Sequence, residues 1–488
     1  MIRPDPLDAL VSHAHETRAV VVGGGIGGLV AARELAKIGM PVTVLEAADR
    51  TGGVVRSAEV AGIRLDVGAE SYATRGGTVR ALIDALGLAD AVVAPSPHGA
   101  WVAGLPGGAA APLPRGGVLG IPDNPWEPSV RRVIGWGGAW RAYLDRLRPP
   151  LTLGHDRSLG RLVRRRMGAA VLDRLVAPVT SGVYSAHPDD IDVDVAAPGL
   201  NAALTRAGSL SGAVAELRGG RDVAPGGAVA GLDGGMARLV EALVASLVEL
   251  GTEIRTGCRA TGIERAEGGW TVRVAGDEAE VLPADVIVVA VPEAEARRLL
   301  VPVVPALDAE PAPAPVVEIV TLVVAEPALD GHPRGNGVLT VPGTSAAKAL
   351  THASAKWDWV SRAAGDGVHV VRVSFGAQNE PPATESLSDA DAADLALREA
   401  STLLGVPLDA SRLRGAHRER YVQAQPGSVL GRGAAVAAAQ DAIRAVPGLG
   451  AVGAWLAGTG LAQVVPHATA EADRVRRAAL WGGAGSQV

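Results

Sequence analysis

The stretch AVVVGGGIGGLVAARELAKIGMPVTVLEAADRTGGVVRS, from Ala19 to Ser57, decides the fold of this chain. It opens with a short run of β-branched residues and continues into glycines with the spacing GxGxxG at Gly23, Gly25 and Gly28. The residues that follow have apolar positions at helical spacing, and Gly39 ends that pattern. A second apolar run comes next. Strand, glycine turn, helix and strand in this order predict a βαβ unit.

The glycines and one acidic residue indicate what this unit binds. Because Gly23, Gly25, Gly27 and Gly28 carry no side chains, the backbone can turn tightly and approach a pyrophosphate, which then rests on the helix N-terminus. Glu46 ends the second strand about 20 residues past the glycines, where a carboxylate can bind both hydroxyls of a ribose. We therefore predict a dinucleotide site, since a glycine turn without a ligand would leave Glu46 unexplained.

The residues after Glu46 favour one dinucleotide over another. Arg50, Gly52 and Gly53 continue the motif as EAADRTGG, and a further glycine-led segment, DVGAES, spans Asp66 to Ser71. An NAD site needs only the first βαβ unit, whereas a permanently bound FAD must also be held along its ribityl chain and flavin. The second glycine pair would allow close backbone approach there. FAD is therefore the predicted cofactor.

Composition excludes several classes of protein. A chain of 488 residues is too long for one hydrophobic core, so two or three domains are expected. The net charge of −6 gives no overall attraction to nucleic acid. Cys258 is the only cysteine, which rules out an intrachain disulfide and a multi-cysteine metal site, and the histidines lack metal-ligand spacing, so no metal is predicted. No apolar run reaches about 18 residues, and we expect a cytoplasmic protein without a transmembrane segment.

Four later pieces fit the same nucleotide-binding domain. GLDGGMARLVEALVASLVEL, from Gly231 to Leu250, is a glycine turn that opens an amphipathic helix. It leads into TEIRTGCRATGIERAEGGWTVRVAG, which predicts a pair of strands. ADVIVVAVP, from Ala284 to Pro292, predicts a buried parallel strand. The C-terminal GAWLAGTGLAQVVPHATAEADRVRRAAL is a loop that feeds a helix. These pieces predict one discontinuous FAD domain.

Some of these segments resemble a known family. The segment Glu46–Gly53, the GLDGGM turn and the ADVIVVAVP strand resemble the flavin-containing amine oxidase superfamily. Within it, three further stretches are similar to the protoporphyrinogen/coproporphyrinogen oxidase family: TSGVYSAHPDDI (Thr180–Ile191), SAKWDWVSRAAGDGVHVVRVSFG (Ser354–Gly376) and PLPRGGVLGIP (Pro112–Pro122). The resemblance runs from about residue 18 to about residue 480.

The resemblance implies an amine-oxidase-like α/β architecture. A Rossmann-type FAD-binding domain would be assembled from residues 17–76, 226–297 and 440–488, a largely helical domain from 77–225, and a mixed-sheet substrate domain from 298–439. Carried over by position, the cofactor contacts would be Gly23, Gly25, Gly27, Gly28, Glu46, Arg50, Gly52, Gly53, Gly68, Ala69, Glu70, Ser71, Ala260, Tyr421, Thr459, Gly460 and Leu461.

The activity implied is the oxidation of a porphyrinogen to a porphyrin in haem biosynthesis. Six electrons would pass through FAD to molecular oxygen, which leaves as hydrogen peroxide, and coproporphyrinogen III is the substrate most expected. A methylene bridge between electron-rich pyrroles can lose hydride without a strong side-chain base, so no catalytic residue is assigned. The protein would hold the macrocycle against the flavin and exclude water. The partners expected are this small molecule and oxygen; a homodimer is compatible with the sequence.

A substrate with four propionates calls for local cations despite the net negative charge. Arg115, Arg131 and Arg132 are candidates, and the first choices as substrate anchors are Lys356, Arg372 and Arg432. The run Arg164–Arg166 is expected instead to form the solvated face of a helix.

Two other classes of function stay open. The family's usual Pro-Gln-Tyr then Gly-His is replaced here by QPGSVLGR (Gln425–Arg432), and SPHGAWVAG lacks the arginine that often anchors a propionate. These departures favour a flavin oxidase or desaturase of a smaller specialised metabolite or amine. A non-catalytic FAD- or haem-binding chaperone is the other alternative, although the flavin-facing glycines are all present.

Overall fold

A five-stranded parallel sheet forms the centre of the first layered unit. The computed structural model describes residues 6–148, 156–219, 228–276, 280–309, 313–422 and 429–481. Within these ranges the strand order of this sheet is Glu253–Arg255, Val42–Leu45, Ala19–Val22, Val286–Val289 and Leu449–Ala451. All four residues of Ala19–Val22 and of Val286–Val289 are buried, as continuous runs of β-branched residues predict for a parallel sheet covered on both faces.

Helices cover one face of the parallel sheet and a small antiparallel sheet covers the other. Helices Ile26–Ala36, Ala237–Glu249 and Leu461–Trp481 share one hydrophobic core with the strands. The opposite core contains the helix Glu293–Leu300 and a three-stranded antiparallel sheet, whose strands are Ala260–Ala266, Gly269–Val274 and Glu280–Ala284. The predicted discontinuous assembly of this unit from distant segments is therefore what the chain forms.

A seven-stranded mixed sheet forms the second layered unit. Its strand order is Leu413–Val422, Val316–Ala325, Val368–Phe375, Ala349–His352, Gly337–Thr340, Ala100–Leu105 and Ala109–Pro112. One face packs on the helix Asp389–Leu404. The Ser388 hydroxyl caps that helix by accepting from the Asp391 amide at 3.2 Å.

The strands Ala100–Leu105 and Ala109–Pro112 differ from expectation. They lie inside the segment 77–225 predicted to be largely helical, yet Ala100–Leu105 pairs parallel with Gly337–Thr340 in the seven-stranded sheet. Their sequence is rich in alanine and glycine, which have low strand propensity, so pairing with the sheet and not local preference sets their conformation. The division into three domains remains a prediction, but the strands at 100–112 belong to the sheet of the predicted substrate domain.

Most of the remaining helices lie between residues 128 and 218. They are Pro128–Tyr143, Leu159–Met167, Ala169–Val171, Ala177–Tyr184, Val193–Ala196, Leu200–Ala207 and Leu210–Arg218. The other helices are Pro6–Glu16, Thr78–Ala85, Ala353–Lys356, Asp358–Ala364, Arg432–Arg444 and Ala454–Ala457. Short strands pair as Ser57–Val60 with Ile63–Asp66, as Gly117–Val118 with Ile121–Pro122, and as Val229–Leu232 with Tyr72–Ala73 and Val92–Val93.

Arg166 corrects one prediction about this helical segment. It was expected on a solvated face with its two neighbours, but Arg166 is buried and forms an ion pair with the buried Asp145. The Asp145 carboxylate also accepts from the Leu210 amide at 2.5 Å. Because its charge is paired and hydrogen-bonded, Arg166 connects helix Leu159–Met167 to the 3-10 turn Leu144–Leu147 instead of facing water.

No helix in the described part of the chain combines the length and the apolar character needed to cross a bilayer.

Candidate functional site

The glycine turn 23–28 lies at the carboxyl end of the parallel sheet. Gly23 has φ 111°, and a Cβ there would lie 2.5 Å from the Ala290 carbonyl oxygen. A Cβ on Gly28 would lie 1.9 Å from the Gly23 carbonyl oxygen. Gly25 is different, because a Cβ there would have no described protein atom within 4 Å. Gly23 and Gly28 are thus required by the turn itself, whereas Gly25 borders open space at the start of helix Ile26–Ala36, which no side chain caps.

The second glycine pair packs directly against this turn. The Gly52 amide donates to the Gly24 carbonyl at 2.8 Å, and a Cβ on Gly53 would lie 3.4 Å from the Gly25 Cα. Both predicted glycine motifs therefore border the same space. Arg50, by contrast, is exposed and contacts only Asp49 and the Ser57 carbonyl among the described residues.

Glu46 lies beside the turn with its carboxylate held by the backbone. One oxygen accepts from the Gly24 amide at 2.7 Å and the other from the Ala48 amide at 2.8 Å. Each carboxylate oxygen has a further lone pair that can accept from a hydroxyl group. The Glu46 carbonyl also accepts from the Cys258 amide at 2.8 Å, and this contact brings the segment that leads to Ala260 to the same end of the sheet.

A second helix N-terminus lies next to the first. A Cβ on Gly27 would lie 3.2 Å from Cγ1 of Val464, in the first turn of helix Leu461–Trp481. Gly460 has φ 103°, and a Cβ there would have no described atom within 4 Å. The N-terminal ends of helices Ile26–Ala36 and Leu461–Trp481 therefore lie close together, and the residues Thr459 to Leu461, predicted to contact the cofactor, stand where the second helix begins.

The segment Gly68–Ser71 forms the next wall of this region. The Ala69 amide donates to the Val54 carbonyl at 2.9 Å, and a Cβ on Gly68 would lie 2.0 Å from that carbonyl oxygen. On the other side, the Tyr421 hydroxyl lies 2.8 Å from the same Cβ position. Burial raises the pKa of Tyr421, and its hydroxyl has no hydrogen-bond partner among the described residues. A buried, unpaired donor next to Gly68 fits a site that a polar cofactor completes.

Glu70 binds two of the predicted substrate anchors. Lys356 donates to one Glu70 oxygen at 2.6 Å and Arg372 to the other at 2.7 Å. Burial alone would raise the pKa of Glu70, but the two cations outweigh it and hold the pKa at about 2. Arg372 also donates to the Gly68 carbonyl at 2.5 Å. Arg372 therefore fastens the Gly68–Ser71 segment to the seven-stranded sheet, and Lys356 fastens it to the helix Ala353–Lys356.

The third predicted anchor also has an acidic partner. The Arg432 guanidinium forms an ion pair with Glu293, and both side chains are largely buried. The sequence predicted these three cations as substrate anchors, but it could not show their acidic partners. Of the stretch Gln425–Arg432, residues 425–428 lie outside the described residues.

Asp66 is a site residue that sequence reasoning missed. Its carboxylate accepts from the Met236 amide at 2.8 Å, at the start of helix Ala237–Glu249, and burial raises its pKa to about 6. Gly235 has φ 96°, and a Cβ there would lie 2.9 Å from this carboxylate. The contact joins the DVGAES segment to the GLDGGM turn. The signal was the pair of glycines that lets the turn approach an acidic side chain.

One face of the seven-stranded sheet lies next to the wall formed by Gly68–Ser71. Four half-buried residues on four adjacent strands are in register on that face, and we call them the platform: Ile319, Ser374, Ala349 and Leu339. Arg372 and Tyr421 lie on the same face, towards Gly68. At the other end, a Cβ on Gly182 would lie 2.6 Å from Cδ2 of Leu339, so helix Ala177–Tyr184 packs there. Four strands span roughly 14 Å, which makes the platform wide and flat.

Comparison with known proteins agrees with this geometry. The family described as flavin containing amine oxidoreductase matches residues 26–475. The chain belongs to this family. The open space at Gly25 and Gly460, the two helix ends and the unpaired Tyr421 hydroxyl fit FAD, as predicted. The chain is therefore an FAD-dependent oxidoreductase with the predicted amine-oxidase-like fold.

Individual relatives cover almost the whole chain. The coproporphyrinogen III oxidase of Mycobacterium tuberculosis is 32% identical over 451 residues, which are 90% of this chain and 93% of that protein. The enzyme of the same name from Propionibacterium freudenreichii is 29% identical over 513 residues, covering 96% and 92%. A crystal structure from Exiguobacterium sp. 255-15, provisionally assigned as a protoporphyrinogen oxidase, has a TM-score of 0.81 at 25% identity and covers 94% and 98%. The predicted resemblance to this family is confirmed.

Proposed function

We propose that this protein oxidises coproporphyrinogen III to coproporphyrin III in haem biosynthesis, in the cytoplasm and with oxygen as the electron acceptor. The observation that carries the proposal is the near full-length similarity to a coproporphyrinogen III oxidase. The reaction removes six electrons and six protons from the macrocycle. Three molecules of oxygen take them up and leave as three molecules of hydrogen peroxide.

The residues of the chain have mainly a positioning role in this reaction. Bound FAD supplies the hydride acceptor. The turn 23–28 would hold its pyrophosphate, and Glu46 would accept from the ribose hydroxyls. Gly68–Ser71, fastened through Glu70, would form the wall next to the flavin. Because one ion pair ties this wall to the seven-stranded sheet and a second ties it to the helix Ala353–Lys356, flavin and substrate would keep a fixed separation.

The platform supports a broad, macrocyclic substrate. It extends from Arg372 and Tyr421 to the helix that carries the SGVY motif, and its side chains are uncharged. A tetrapyrrole could lie on such a surface with its polar substituents at the rim. Oxidation of the meso position requires no base from this face, since the pyrrole nitrogens stabilise the positive charge as hydride leaves.

A second candidate is a flavin oxidase that acts on a smaller, uncharged metabolite or an amine. The observation that favours it is that Lys356, Arg372 and Arg432 each form an ion pair with an acidic side chain. None of these three cations is then available as an unpaired anchor for a propionate.

Aerobic turnover by the purified flavoprotein tests the proposal. Coproporphyrinogen III should give a fluorescent porphyrin without added NAD(P), with peroxide formed in a ratio of three to one porphyrin. Protoporphyrinogen IX and a panel of amines serve as competing substrates. Peroxide formation with an amine alone would replace the proposal by the second candidate.

A further inference from the structure

Lys348 is a shielded cation that the site described above does not use. It immediately precedes the strand Ala349–His352, whose first residue belongs to the platform. Its ammonium donates to the Ser185 hydroxyl at 2.6 Å. Among the described residues no carboxylate forms an ion pair with it, in contrast to Lys356, Arg372 and Arg432. An ammonium has three donors, and a single hydroxyl satisfies only one of them.

Ser185 is held in an unusual conformation at this position. It follows helix Ala177–Tyr184 directly and has φ 52°, in the left-handed region that residues other than glycine rarely adopt. The Gln378 amide donates to the Ser185 carbonyl at 2.7 Å and helps to hold the residue there. The Gln378 side-chain oxygen is buried without a hydrogen-bond partner among the described residues. The backbone is therefore strained at Ser185, the residue whose hydroxyl contacts Lys348.

The environment of Lys348 disfavours its charge. Burial lowers the pKa of its ammonium to about 8, and no neighbouring acid opposes that effect. A shielded charge without a counterion destabilises a folded protein, and cations in such places are normally paired. An anionic ligand that reached Lys348 would supply the missing counterion.

The position of Lys348 matches the rim of the platform. Ala349 pairs with Leu339 and with Ser374 on the platform face, and Ser185 continues the helix that packs on Leu339 through Gly182. Along the strands, Lys348 lies on the opposite side of the platform from Arg372, because Arg372 pairs with Thr351, two residues after Ala349, whereas Lys348 precedes Ala349. A flat molecule that contacted the flavin wall at one edge would have its far edge close to Lys348 and Ser185.

We propose that Lys348 binds a carboxylate of the substrate, with Ser185 orienting the ammonium. The inference rests on the proposed function, and in that reaction the carboxylate is a propionate on the rim of the tetrapyrrole. Lys348 then takes the anchoring role expected for Lys356, Arg372 and Arg432. It distinguishes tetracarboxylate substrates from uncharged molecules of similar size.

Binding and turnover of the FAD-loaded protein test this role. Lys348→Met removes the charge with little change of volume, Lys348→Arg keeps the charge, and Lys37→Met is the control, because Lys37 is an exposed lysine paired with Glu34. A charge-assisted hydrogen bond corresponds to roughly 10- to 150-fold in affinity. We expect Lys348→Met to raise the Kd for coproporphyrin III and the KM for coproporphyrinogen III about tenfold or more, with kcat nearly unchanged. Lys348→Arg should recover part of the affinity, and Lys37→Met should match the wild type.

Two comparisons decide the outcome. If the wild type oxidises coproporphyrinogen III and Lys348→Met binds coproporphyrin III equally well with full FAD content, the role of Lys348 is wrong and the proposed function stands. If the wild type neither oxidises porphyrinogens nor binds coproporphyrin III, both are wrong. If Lys348→Met loses FAD, the wild type alone still tests the inference. The inference requires the wild type to bind coproporphyrin III at least tenfold more tightly than the tetramethyl ester of coproporphyrin III. Equal binding of acid and ester would overturn the inference.

Discussion

Arg372 donates to Glu70 at 2.7 Å although 302 residues separate them in the chain. Lys356 occupies the other oxygen of the same carboxylate. The Glu70 side chain is only 13% exposed, so this three-membered ionic group is largely shielded from solvent. It joins the loop expected to face the flavin to the seven-stranded sheet that carries the platform. The stability of this joint and the retention of the cofactor should therefore change together.

Replacing Glu70 with glutamine should weaken that joint strongly. The substitution leaves Lys356 and Arg372 close together without a counterion, and breaking a buried pair by removing one partner costs about 3–5 kcal/mol. We expect a lower thermal midpoint and a larger fraction of FAD-free protein after gel filtration. Glu59→Gln, an exposed glutamate on the preceding hairpin, is the matched control and should behave like the wild type. Full FAD retention and an unchanged midpoint in Glu70→Gln would contradict this account.

Low pH should break the ion pairs of Glu70 with Lys356 and Arg372. Because the folded-state pKa of Glu70 is about 2, below its usual value, the stability it contributes is complete above about pH 4.5 and is lost as the pH falls towards 2. Thermal midpoints measured from pH 7 to pH 3 should fall more steeply for the wild type than for Glu70→Gln. Parallel curves for the two proteins would show that Glu70 is not an ionised, paired group.

Asp66 should have the opposite pH dependence. Its pKa of about 6 lies above that of an unfolded aspartate, so its contribution to stability is complete below about pH 4 and is lost as the pH rises through 6. Asp66→Asn keeps an oxygen that can accept from the Met236 amide but removes the titration. The variant should therefore gain stability relative to the wild type between pH 4 and pH 7. A constant difference across that range would argue against the raised pKa.

Gly25 allows the cofactor site to be tested apart from the fold. Since a Cβ at this position meets no described protein atom and the backbone has an ordinary φ of −70°, Gly25→Val should fold normally without FAD. The side chain would enter the space expected for the pyrophosphate, so the purified variant should be colourless. Gly137→Val is a control glycine with equally open surroundings on helix Pro128–Tyr143. A yellow Gly25→Val protein with stoichiometric FAD would place the pyrophosphate elsewhere.

The sequence predicted local features of the site well. The first βαβ unit and the second glycine pair depend on residues close together in the chain, and each forms as expected. The strand Val286–Val289 was predictable because a continuous apolar run is typical of a strand buried on both faces. The strands at 100–112 were not, because their composition has little strand preference.

Ion pairs between residues far apart in the chain could not be predicted from the sequence. Lys356, Arg372 and Arg432 were expected to be available for substrate, but their partners Glu70 and Glu293 lie at distant positions in the chain. Lys348 was not among the predicted anchors, because no residue near it in sequence indicates that its ammonium is shielded. Which cations have an acidic partner depends on tertiary contacts, which local sequence does not reveal.

Anaerobic reduction of the bound flavin tests the central claim most directly. Holoenzyme mixed without oxygen with coproporphyrinogen III should lose its absorbance near 450 nm in a single rapid phase, while protoporphyrinogen IX should be slower and amines should leave the flavin oxidised. Readmission of oxygen should restore the colour with release of peroxide. Fast bleaching by an amine, together with an unchanged spectrum in the presence of coproporphyrinogen III, would contradict the account.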